Sequence, residues 1–564
     1  MRTIQSLFIS ISLLGLLSAC YDDKGNYDYK DLTEIEIAKE NPFSVTIGAT
    51  VKITPDITYS KENPRMNLVY TWTLEGEVIS TSPILEWVSD RYTTIASDNL
   101  ILEITDLDND LVYRRDYTLK VKRKYDTYGY FVLAKKDGKV CVHMIKEAED
   151  EDGKRTYIPE QDIYSLENNG ELLPSATFKL HEHFCLNLVN ATDKDPINQL
   201  MFVAPDQTVE VEPSTFQKVD TELQDMFGGA LPSGLMVSDI YFMQFLNLIK
   251  DREGRLYSRI KSSNEFFHID QFLPTPLMFD KEELRDIEFI PSHLSSQHCL
   301  LYDKNKKRLL MIWDFKDYYG ENYTLGKIEE VSSKLAKNAV WPDKVPTIED
   351  AFKNYEVRHL ASYKTEFNSY GDGLVTHYFA VLKDPQNGKL YHYKFALQQQ
   401  YEAPVMQLFA EDGTGGSKVV SIEFKELTGN VFDLFNKPEN KIFTLPTRYL
   451  GYGFYGFLTL IAQGQNLYVY NRATPLSDKP DNKNPRLLCS FDAEIAFMAG
   501  INSSHYWGEY MGVALKDGSF EVLSLRNANY SNWNGRVWKS TGLNLGEPID
   551  LIYSVKSPNL DSWK

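Results

Sequence analysis

The chain has 564 residues, a formal net charge of −19 at pH 7 and an apolar content of 43%. That apolar content supports several buried cores and excludes general disorder, and the length predicts roughly two to four domains. The negative charge argues against nucleic acid, and against an anionic lipid surface, as the main partner.

Residues 1–19 have the pattern of a secretory signal peptide. Arg2 supplies a positive charge, an apolar run extends from Leu7 to Leu17, and small residues precede Cys20. The run is too short to span a bilayer as a helix. The tetrapeptide Leu17-Ser18-Ala19-Cys20 resembles the bacterial lipobox, which implies that Cys20 is lipidated and that the chain is cut before it. An ordinary signal peptide that ends in an incidental Cys is the alternative.

Residues 20–30 form a lipidated tether in this interpretation. Tyr21-Asp22-Asp23-Lys24 resembles the acidic export signal of Bacteroidota lipoproteins, which implies a place on the cell-surface side of the outer membrane. The stretch to about Tyr29 has no apolar periodicity, so it is predicted to be flexible. Because no second apolar stretch approaches 18 residues, we expect the lipid to be the only contact with the membrane.

Residues 31–124 predict a β-sandwich. Short alternating strands are expected at Phe43 to Ile53, Asn67 to Leu74, Ile84 to Trp87, Leu100 to Ile104 and Tyr117 to Val121. About seven short alternating strands in roughly 90 residues, with a Trp in the middle, are typical of an Ig-like sandwich. The strand Tyr70-Thr71-Trp72, together with an acidic turn before the last strand, resembles a PKD-type domain.

The acidic turn contains Asp106, Asp108 and Asp110, whose alternation is compatible with a Ca²⁺ loop. The Gly and the distal Glu of an EF-hand are missing, so a solvated turn is the favoured interpretation.

Residues 125–564 contain a degenerate repeat of β-hairpins. An apolar strand precedes each turn and an alternating strand follows it. The turns are rich in Gly, Asn and Asp, and this composition favours tight hairpins. The turns are Asp137-Gly138, Asp206-Gln207, Glu253-Gly254, Asn305-Lys306, Asn387-Gly388, Gln463-Gly464 and Asp517-Gly518.

One more apolar strand lies upstream of most hairpins, so the repeat predicts seven units of three or four strands. The fold class is therefore predicted as all-β, with a PKD/Ig-like sandwich followed by a seven-bladed β-propeller. The first hairpin has no upstream strand, whereas Pro548 to Val555 has no hairpin after it. We expect this C-terminal segment to close the first blade. A large sandwich or a pair of barrels is the alternative.

Motifs for catalysis, metals or cofactors are absent from the sequence, so no catalytic residue, metal site or cofactor is predicted. His181 and His183 alternate around Glu182, yet a zinc site needs a third ligand that the sequence does not supply, so a surface strand pair is the favoured interpretation. His293 and His298 lie near Cys299 with no spacing typical of a metal site. The cysteines that follow Cys20 are widely spaced and are expected to be buried free thiols.

Aromatic loops are the best candidates for a ligand- or partner-binding surface. By the predicted strand order they emerge on the face opposite the tight turns, and exposed aromatics bind sugar rings or protein side chains. A role in covering blade edges is the alternative. The candidate residues are Tyr318, Tyr319, Tyr323, Tyr452, Tyr455, Tyr506, Trp507 and Trp533.

The lipobox, the opening Cys20-Tyr21-Asp22-Asp23-Lys24-Gly25-Asn26-Tyr27, the Tyr70-Thr71-Trp72 strand and the repeat together resemble the PKD-like family lipoproteins of Bacteroidota. The resemblance implies an accessory component of a Sus-type nutrient uptake system. Its expected partners are a TonB-dependent transporter, the lid lipoprotein of that transporter, and an oligopeptide or glycan ligand. A non-catalytic role is favoured. The alternatives are a surface hydrolase or lyase that trims the nutrient, and an adhesion or assembly protein.

Overall fold

The chain folds into two compact units, Met1–Arg123 and Lys124–Lys564. The structure is a computed structural model, and the residues that it describes follow. They are 32–39, 42–62, 66–93, 95–122, 124–125, 128–149, 152–185, 197–212, 215–219, 222–243, 246–260, 271–290, 298–316, 323–333, 341–367, 374–400, 416–444, 447–448, 458–472, 485–500, 509–528 and 532–554.

Unit 1 consists of short β-strands. They are β1 (Ile35–Ile37), β2 (Phe43–Thr46), β3 (Thr50–Ile53), β4 (Ile57–Tyr59), β5 (Leu68–Leu74), β6 (Glu77–Ser80), β7 (Leu85–Val88), β8 (Leu100–Asp106), β9 (Leu111–Tyr117) and β10 (Leu119–Lys122). The main sheet has the order β6-β5-β8-β9, and the other strands pair as β1-β4, β2-β10 and β3-β7. Trp72 is fully buried in the core between these layers, and its Nε1 donates to the Ser82 carbonyl at 2.9 Å.

Two predicted strands of unit 1 are each divided in two. Phe43 to Ile53 bends at Gly48, which has a φ of +84°, so β2 pairs with β10 and β3 pairs with β7. Tyr117 ends β9 and Leu119 begins β10, which changes partner from β8 to β2. Alternation of apolar residues continues across both breaks, so the sequence pattern alone does not reveal the change of partner.

Unit 2 is also β-rich, with seven sheets of three to five strands among the described residues. Sheet 1 has the order β13 (Arg155–Glu160), β12 (Lys139–Glu149), β11 (Gly129–Lys136), β40 (Glu547–Ser554). Sheet 2 is β14 (Lys179–Cys185), β15 (Ile197–Val203), β16 (Thr208–Val211), β17 (Lys218–Val219). Sheet 3 is β18 (Val237–Phe242), β19 (Leu246–Asp251), β20 (Leu256–Ile260), and a hairpin of β21 (Met278–Phe279) and β22 (Glu282–Glu283) follows it. Sheet 4 is β23 (Ile287–Ile290), β24 (His298–Asp303), β25 (Arg308–Lys316), β26 (Tyr323–Glu330).

The remaining three sheets contain the longest strands and the last hairpin. Sheet 5 has the order β30 (Gly416–Leu427), β29 (Leu390–Gln400), β28 (Leu374–Lys383), β27 (Glu356–Phe367), β32 (Thr447–Arg448). Sheet 6 is β31 (Lys441–Thr444), β33 (Leu458–Gln463), β34 (Asn466–Asn471), β35 (Arg486–Ser490). Sheet 7 is β36 (Ile495–Gly500), β37 (Tyr510–Leu515), β38 (Phe520–Ser524), β39 (Arg536–Lys539).

All seven predicted hairpins are confirmed, because each pair of flanking strands is antiparallel and hydrogen-bonded. Aspartates at the ends of several incoming strands hold the turns. Asp251 Oδ1 accepts from the backbone N–H groups of Glu253 and Arg255, each at 2.9 Å. Asp303 Oδ1 accepts from the N–H of Lys306 at 3.0 Å. These short side chains satisfy turn donors that the strands leave free.

Each sheet of unit 2 packs on the next through its own apolar cluster. One face of β11 places Phe131 and Leu133 against sheet 2, while the other places Tyr130 and Val132 against sheet 7. Similar clusters join sheets 2 to 3, 3 to 4, 4 to 5, 5 to 6 and 6 to 7. The strands are therefore buried on both faces, which explains why many of them read as apolar runs instead of clean alternation.

The C-terminal strand pairs with the first strand of unit 2. Ile552 lies opposite Phe131, Leu551 opposite Val132, and Asp550 opposite Leu133. The partners are more than 400 residues apart in sequence, so sheet 1 contains both the first and the last described strand of unit 2. This is the pairing that the sequence analysis expected for the segment from Pro548.

The described residues also contain a 3-10 helix at Asp225–Phe227 and, between sheets, three short α-helices that the sequence analysis did not anticipate. They are α1 (Ile163–Glu167), α2 (Ile348–Asn354) and α3 (Asn430–Asn436). Helix α2 begins at Thr347, whose Oγ1 accepts from the N–H of Asp350 at 3.1 Å. Its apolar residues pack into the cluster between sheets 4 and 5. Within the part of the chain that the structure describes, none of the helices has the length and apolarity to cross a membrane.

Removing β40 is expected to unfold unit 2 as a whole. Leu551 and Tyr553 are buried, and a fully buried apolar side chain contributes about 1.5–3 kcal/mol. Several such losses are comparable with the ~5–15 kcal/mol that stabilises a typical domain. Truncation after Gly546 should therefore lower the unfolding midpoint strongly in circular dichroism. Truncation after Ser554 is the matched control and should leave the unfolding midpoint unchanged. Deleting residues 31–123 should leave unit 2 folded, and retention of the native midpoint after removal of β40 would contradict the closure argument.

Candidate functional site

The aromatic candidates belong to segments that leave one end of the sheets. In sheets 4, 6 and 7 the tight turns join the second strand to the third, so they lie at one end, here named the hairpin end. Segment 317–322 joins the third strand of sheet 4 to the fourth, and segment 501–508 joins the first strand of sheet 7 to the second. Segment 449–457 joins β32 of sheet 5 to the second strand of sheet 6. The strand ends that flank the first two segments, Lys316 with Tyr323 and Gly500 with Met511, lie at the opposite end, here named the connection end.

Most candidate residues fall outside the described residues, namely Cys20, Tyr318, Tyr319, Tyr452, Tyr455, Tyr506 and Trp507. Tyr323 is the first residue of β26 and lies opposite Lys316. Trp533 is half-buried, packs against the cluster between sheets 6 and 7, and its Nε1 donates to the Ser524 carbonyl at 2.9 Å. One part of the Trp533 side chain is therefore packed and hydrogen-bonded, and another part is accessible to solvent.

Sheet 5 supports one of the candidate segments. Its strands β27 and β30 have 12 residues each, whereas β31 and β36 of the following sheets have four and six. The short strand β32 pairs in parallel with this long sheet, with Thr447 opposite Lys364. Segment 449–457, which contains Tyr452 and Tyr455, follows β32 directly in the sequence, and β32 is hydrogen-bonded to sheet 5. The sequence analysis missed this support, because a two-residue parallel pairing has no periodic signal.

A buried polar network lies between sheets 5 and 6. Arg472 is fully buried, with its guanidinium carbon 4.4 Å from the ring centre of Tyr363, and one of its NH groups donates to Thr459 Oγ1 at 3.2 Å. His359 Nε2 is 2.7 Å from Thr444 Oγ1, which is 3.4 Å from Thr459 Oγ1. Burial lowers the pKa of Arg472 to about 10. These contacts fix the strand ends from which segments 449–457 and 473–484 leave.

A second polar group, here named the inner-strand cluster, consists of Lys179, His181 and Asp239. Lys179 Nζ is 2.5 Å from Asp239 Oδ1, and His181 Nε2 is 3.8 Å from the same oxygen. The imidazole packs edge-on against the ring of Phe242. Burial, with a further contribution from the Lys179 charge, lowers the pKa of His181 to about 3. The cluster joins the first strands of sheets 2 and 3.

The chemistry of the inner-strand cluster fits a structural link better than catalysis. An imidazole whose pKa is about 3 takes up a proton poorly at neutral pH, whereas an effective general base has a pKa near the working pH. The Asp239 carboxylate is engaged by Lys179. His181 thus acts as a neutral packing group, and Lys179 with Asp239 joins two strands by a charge-assisted bond.

Neighbouring contacts tie β40 to sheet 2 as well. The Leu180 N–H donates to Asp550 Oδ2 at 2.9 Å, and Ser554 Oγ donates to Glu182 Oε1 at 2.5 Å. Burial raises the pKa of Asp550, while its bonds to the N–H groups of Leu180 and Leu551 oppose the shift. His181 and Glu182 therefore have different neighbours, and the packing of His181 against Phe242 differs from the surface strand pair of His181 and His183 that the sequence analysis favoured.

Two further histidines join sheets through tyrosines. His298 Nε2 is 2.5 Å from the Tyr378 hydroxyl across sheets 4 and 5, and His392 Nδ1 is 3.0 Å from the Tyr470 hydroxyl across sheets 5 and 6. Burial lowers the pKa of His298 to about 3 and that of His392 well below its usual value. His293 lies outside the described residues. His298 is thus a core residue and not a surface ligand.

The acidic turn of unit 1 bonds to itself. Asp106 is buried, with Oδ1 accepting from the N–H of Asp108 at 3.0 Å and Oδ2 accepting from Asn109 Nδ2 at 2.7 Å. Asp108 Oδ2 accepts from the N–H of Asn67 at 3.2 Å. Across the described ranges, no group of three or more His, Cys, Asp or Glu side chains is placed to hold a metal ion. Among the described cysteines, Cys141 and Cys299 are buried free thiols and Cys489 is a half-buried one.

Residues 20–176 match the model of the PKD-like family. The match confirms the PKD-like part of the predicted resemblance, and it continues beyond unit 1 through β11, β12, β13 and α1. The all-β class with a PKD-like N-terminal region is therefore confirmed. No curated protein sequence matches the chain.

Several solved structures are similar at low sequence identity. A quinonprotein alcohol dehydrogenase-like protein from Bacteroides thetaiotaomicron is 11% identical, with a TM-score of 0.34, and the alignment covers 92% of this chain and 99% of that one. Prp20p from Saccharomyces cerevisiae is 10% identical, with a TM-score of 0.32 and coverages of 78% and 94%. AztD from Citrobacter koseri is 9% identical, with a TM-score of 0.31 and coverages of 80% and 94%. These similarities are too distant to assign an activity.

Because burial lowers the pKa of several histidines, we expect the folded chain to lose stability in acid. In the unfolded chain an imidazole takes up a proton below about pH 6.5, whereas His298 in the folded chain does so only near pH 3. The free energy of unfolding should therefore fall as the pH decreases from about 6.5 toward 3. Denaturant unfolding at a series of pH values measures the slope. His298→Gln removes this titrating group, so the variant should lose less stability between pH 7 and pH 5 than the native chain. An equal loss would show that His298 is not responsible.

Proposed function

We propose that the chain is a surface-exposed lipoprotein of the outer membrane and a non-catalytic accessory subunit of a Sus-type nutrient importer. In this proposal the protein binds an oligopeptide or glycan and docks on a TonB-dependent transporter and its lid lipoprotein. The observation that carries the proposal is that the PKD-like match begins at residue 20, where the lipobox-like sequence ends. The first matched residue is thus the Cys that the sequence predicts to be lipidated.

The proposal includes a seven-bladed β-propeller as the architecture of unit 2. Supporting it are the seven sheets of the described residues, the apolar clusters between successive sheets, and the cluster that joins sheet 7 to sheet 1. The pairing of β40 with β11 supports the proposed closure of the ring by the C-terminal strand. In such an arrangement the connection end of every blade faces the same way, so the aromatic segments of sheets 4, 6 and 7 form one surface. That surface is the proposed ligand site.

His181 is a poor candidate for the proton-transfer group that a trimming hydrolase or lyase needs, because its pKa of about 3 is far from the working range of such a group. An assembly role is the second candidate, because unit 1 exposes large apolar side chains such as Val69, Val78 and Val112. Exposed apolar surface of this kind marks interaction sites. Pull-down from native outer membranes, with identification of the co-purifying proteins and bound small molecules, separates an importer subunit from a self-assembling adhesin.

Replacing Cys20 with Ser is expected to release the protein from the membrane. The lipid is the only proposed anchor, and several acyl chains on one residue give stable attachment at about 0.8 kcal/mol per buried CH₂. Membrane fractionation, labelling with a palmitate analogue and globomycin sensitivity of processing measure the effect. Cys489→Ser, in the folded part of the chain, is the matched control and should remain anchored. A Cys20→Ser protein that stays with outer membranes and is reached by external protease would refute the anchor.

Changing the aromatic residues of the connection end should weaken binding without unfolding the chain. The paired variants Tyr506→Ala with Trp507→Ala, and Tyr452→Ala with Tyr455→Ala, should each cost about 1 kcal/mol or more of binding free energy per central ring. Recovery of the co-purifying transporter or ligand measures binding. Trp533→Ala is a useful comparison, because its packing and its bond to Ser524 predict a lower melting temperature. If the loop variants lose stability instead of binding, these rings are core residues.

A further inference from the structure

The sequence contains three Asn-Gly pairs, at Asn169-Gly170, Asn387-Gly388 and Asn534-Gly535. Asparagine is one of the thermally labile residues, and a following glycine makes it more so. Glycine has no side chain to hinder the attack of its main-chain nitrogen on the side-chain carbon of the asparagine. Hydrogen bonds to that nitrogen, or to the asparagine amide, suppress the attack. The three pairs therefore differ in lability according to the bonds around them.

The pair Asn387-Gly388 is held by three hydrogen bonds. Asn387 Nδ2 donates to Asp384 Oδ2 at 2.7 Å, and Asn387 Oδ1 accepts from the N–H of Lys389 at 2.9 Å. The Gly388 N–H, which contains the attacking nitrogen, donates to the Asp384 carbonyl at 2.8 Å. The reaction requires these bonds to break, so this pair is protected.

The attacking nitrogen of Asn169-Gly170 is also engaged. The Gly170 N–H donates to the Ser165 carbonyl at 2.8 Å, just after the end of α1. Asn169 has a φ of +54° and Gly170 a φ of +85°, so two left-handed residues close the helix end. The Asn169 side chain is exposed, but attack requires the Gly170 bond to break and the turn to open.

The pair Asn534-Gly535 has neither restraint. The Asn534 side chain is exposed, and neither its amide nor the Gly535 N–H has a hydrogen-bond partner among the residues that the structure describes. Both residues lie in irregular backbone directly before β39. Gly535 is buried because the Trp533 indole and the Ser524 carbonyl cover its Cα, whereas its nitrogen is joined to the exposed Asn534.

We propose that Asn534 is a site of spontaneous deamidation and the fastest of the three Asn-Gly pairs. The Gly535 nitrogen gives its proton to solvent base and bonds to Asn534 Cγ. The Cγ–Nδ2 bond breaks, and Nδ2 takes up a proton and leaves as ammonia. Water then opens the resulting cyclic imide at either carbonyl, which gives aspartate or isoaspartate. Water is the only co-reactant.

Deamidation at this position changes the surroundings of Trp533. Both products add a negative charge at the next residue, and isoaspartate also lengthens the main chain by one carbon before Gly535. The Ser524 N–H donates to the Gly535 carbonyl at 2.6 Å, and Trp533 Nε1 donates to the Ser524 carbonyl at 2.9 Å. Both bonds depend on the spacing from Trp533 to Gly535. Ageing of the protein therefore loosens the packing of Trp533 between sheets 6 and 7.

Peptide mapping by mass spectrometry tests the proposal on the full chain carrying Cys20→Ser. The protein is kept folded in mildly alkaline buffer, and the fraction of deamidated peptide is followed with time at each Asn-Gly pair. Asn534 should react about tenfold faster than Asn387 or more, because only the Asn387 pair must first break hydrogen bonds. Equal rates at the three pairs, or a faster reaction at Asn387 or Asn169, would overturn the proposal.

Two variants separate this reaction from other effects of ageing. Asn534→Gln should abolish deamidation at this position, because attack on the longer side chain has to close a larger ring. Asn387→Gln is the matched control and should leave the rate at Asn534 unchanged. Aged native protein should melt at a lower temperature than fresh protein, whereas the Asn534→Gln variant should keep its melting temperature. An equal decrease in that variant would refute the effect on Trp533.

Discussion

The pairing of β40 with β11 is the constraint on which unit 2 depends. It joins Gly129 to Ser554, so the first described strand of the unit and its last belong to one sheet. Until this pairing forms, β11 has an open edge and the clusters on both sides of sheet 1 lack Leu551, Ile552 and Tyr553. Contacts between residues so distant in sequence form slowly, because loop closure costs entropy before any contact compensates for it. Unit 2 therefore gains its full stability only when the chain extends through β40.

Apolar packing alone does not determine which sheet lies next to which. The clusters between sheets have similar composition, and hydrophobic contact is not directional. Directional bonds add this information, as in Lys179 with Asp239, His298 with Tyr378, and His392 with Tyr470. Each links two specific sheets, and a shifted neighbour would leave a buried polar group without its partner, which costs about 1–3 kcal/mol. We infer that these buried side chains contribute to the choice of neighbour, and the burial that this requires lowers the pKa of His181, His298 and His392.

The hairpins and the closing strand could be predicted from the sequence, whereas the contacts between sheets could not. Turns such as Asp517-Gly518 have local signals, because Gly518 adopts a φ of +83° that favours glycine. The C-terminal strand was predictable by counting strands. Strand β32 and helix α1 were not, because a two-residue pairing and a five-residue helix have no periodicity to detect. The environment of His181 was equally hidden, since Asp239 reaches it only through the packing of two sheets.

The two ends of the sheets in unit 2 differ in how completely their own residues satisfy them. At the hairpin end the turns are tight, and Asp251, Asp303 and Asp384 accept the turn N–H groups. These turn N–H groups are therefore already hydrogen-bonded within the chain. At the connection end the strands continue into longer segments, and those segments contain the aromatic candidates. Gly129 and Ser554 also lie at this end, so the chain enters unit 2 on the side that carries the proposed ligand surface.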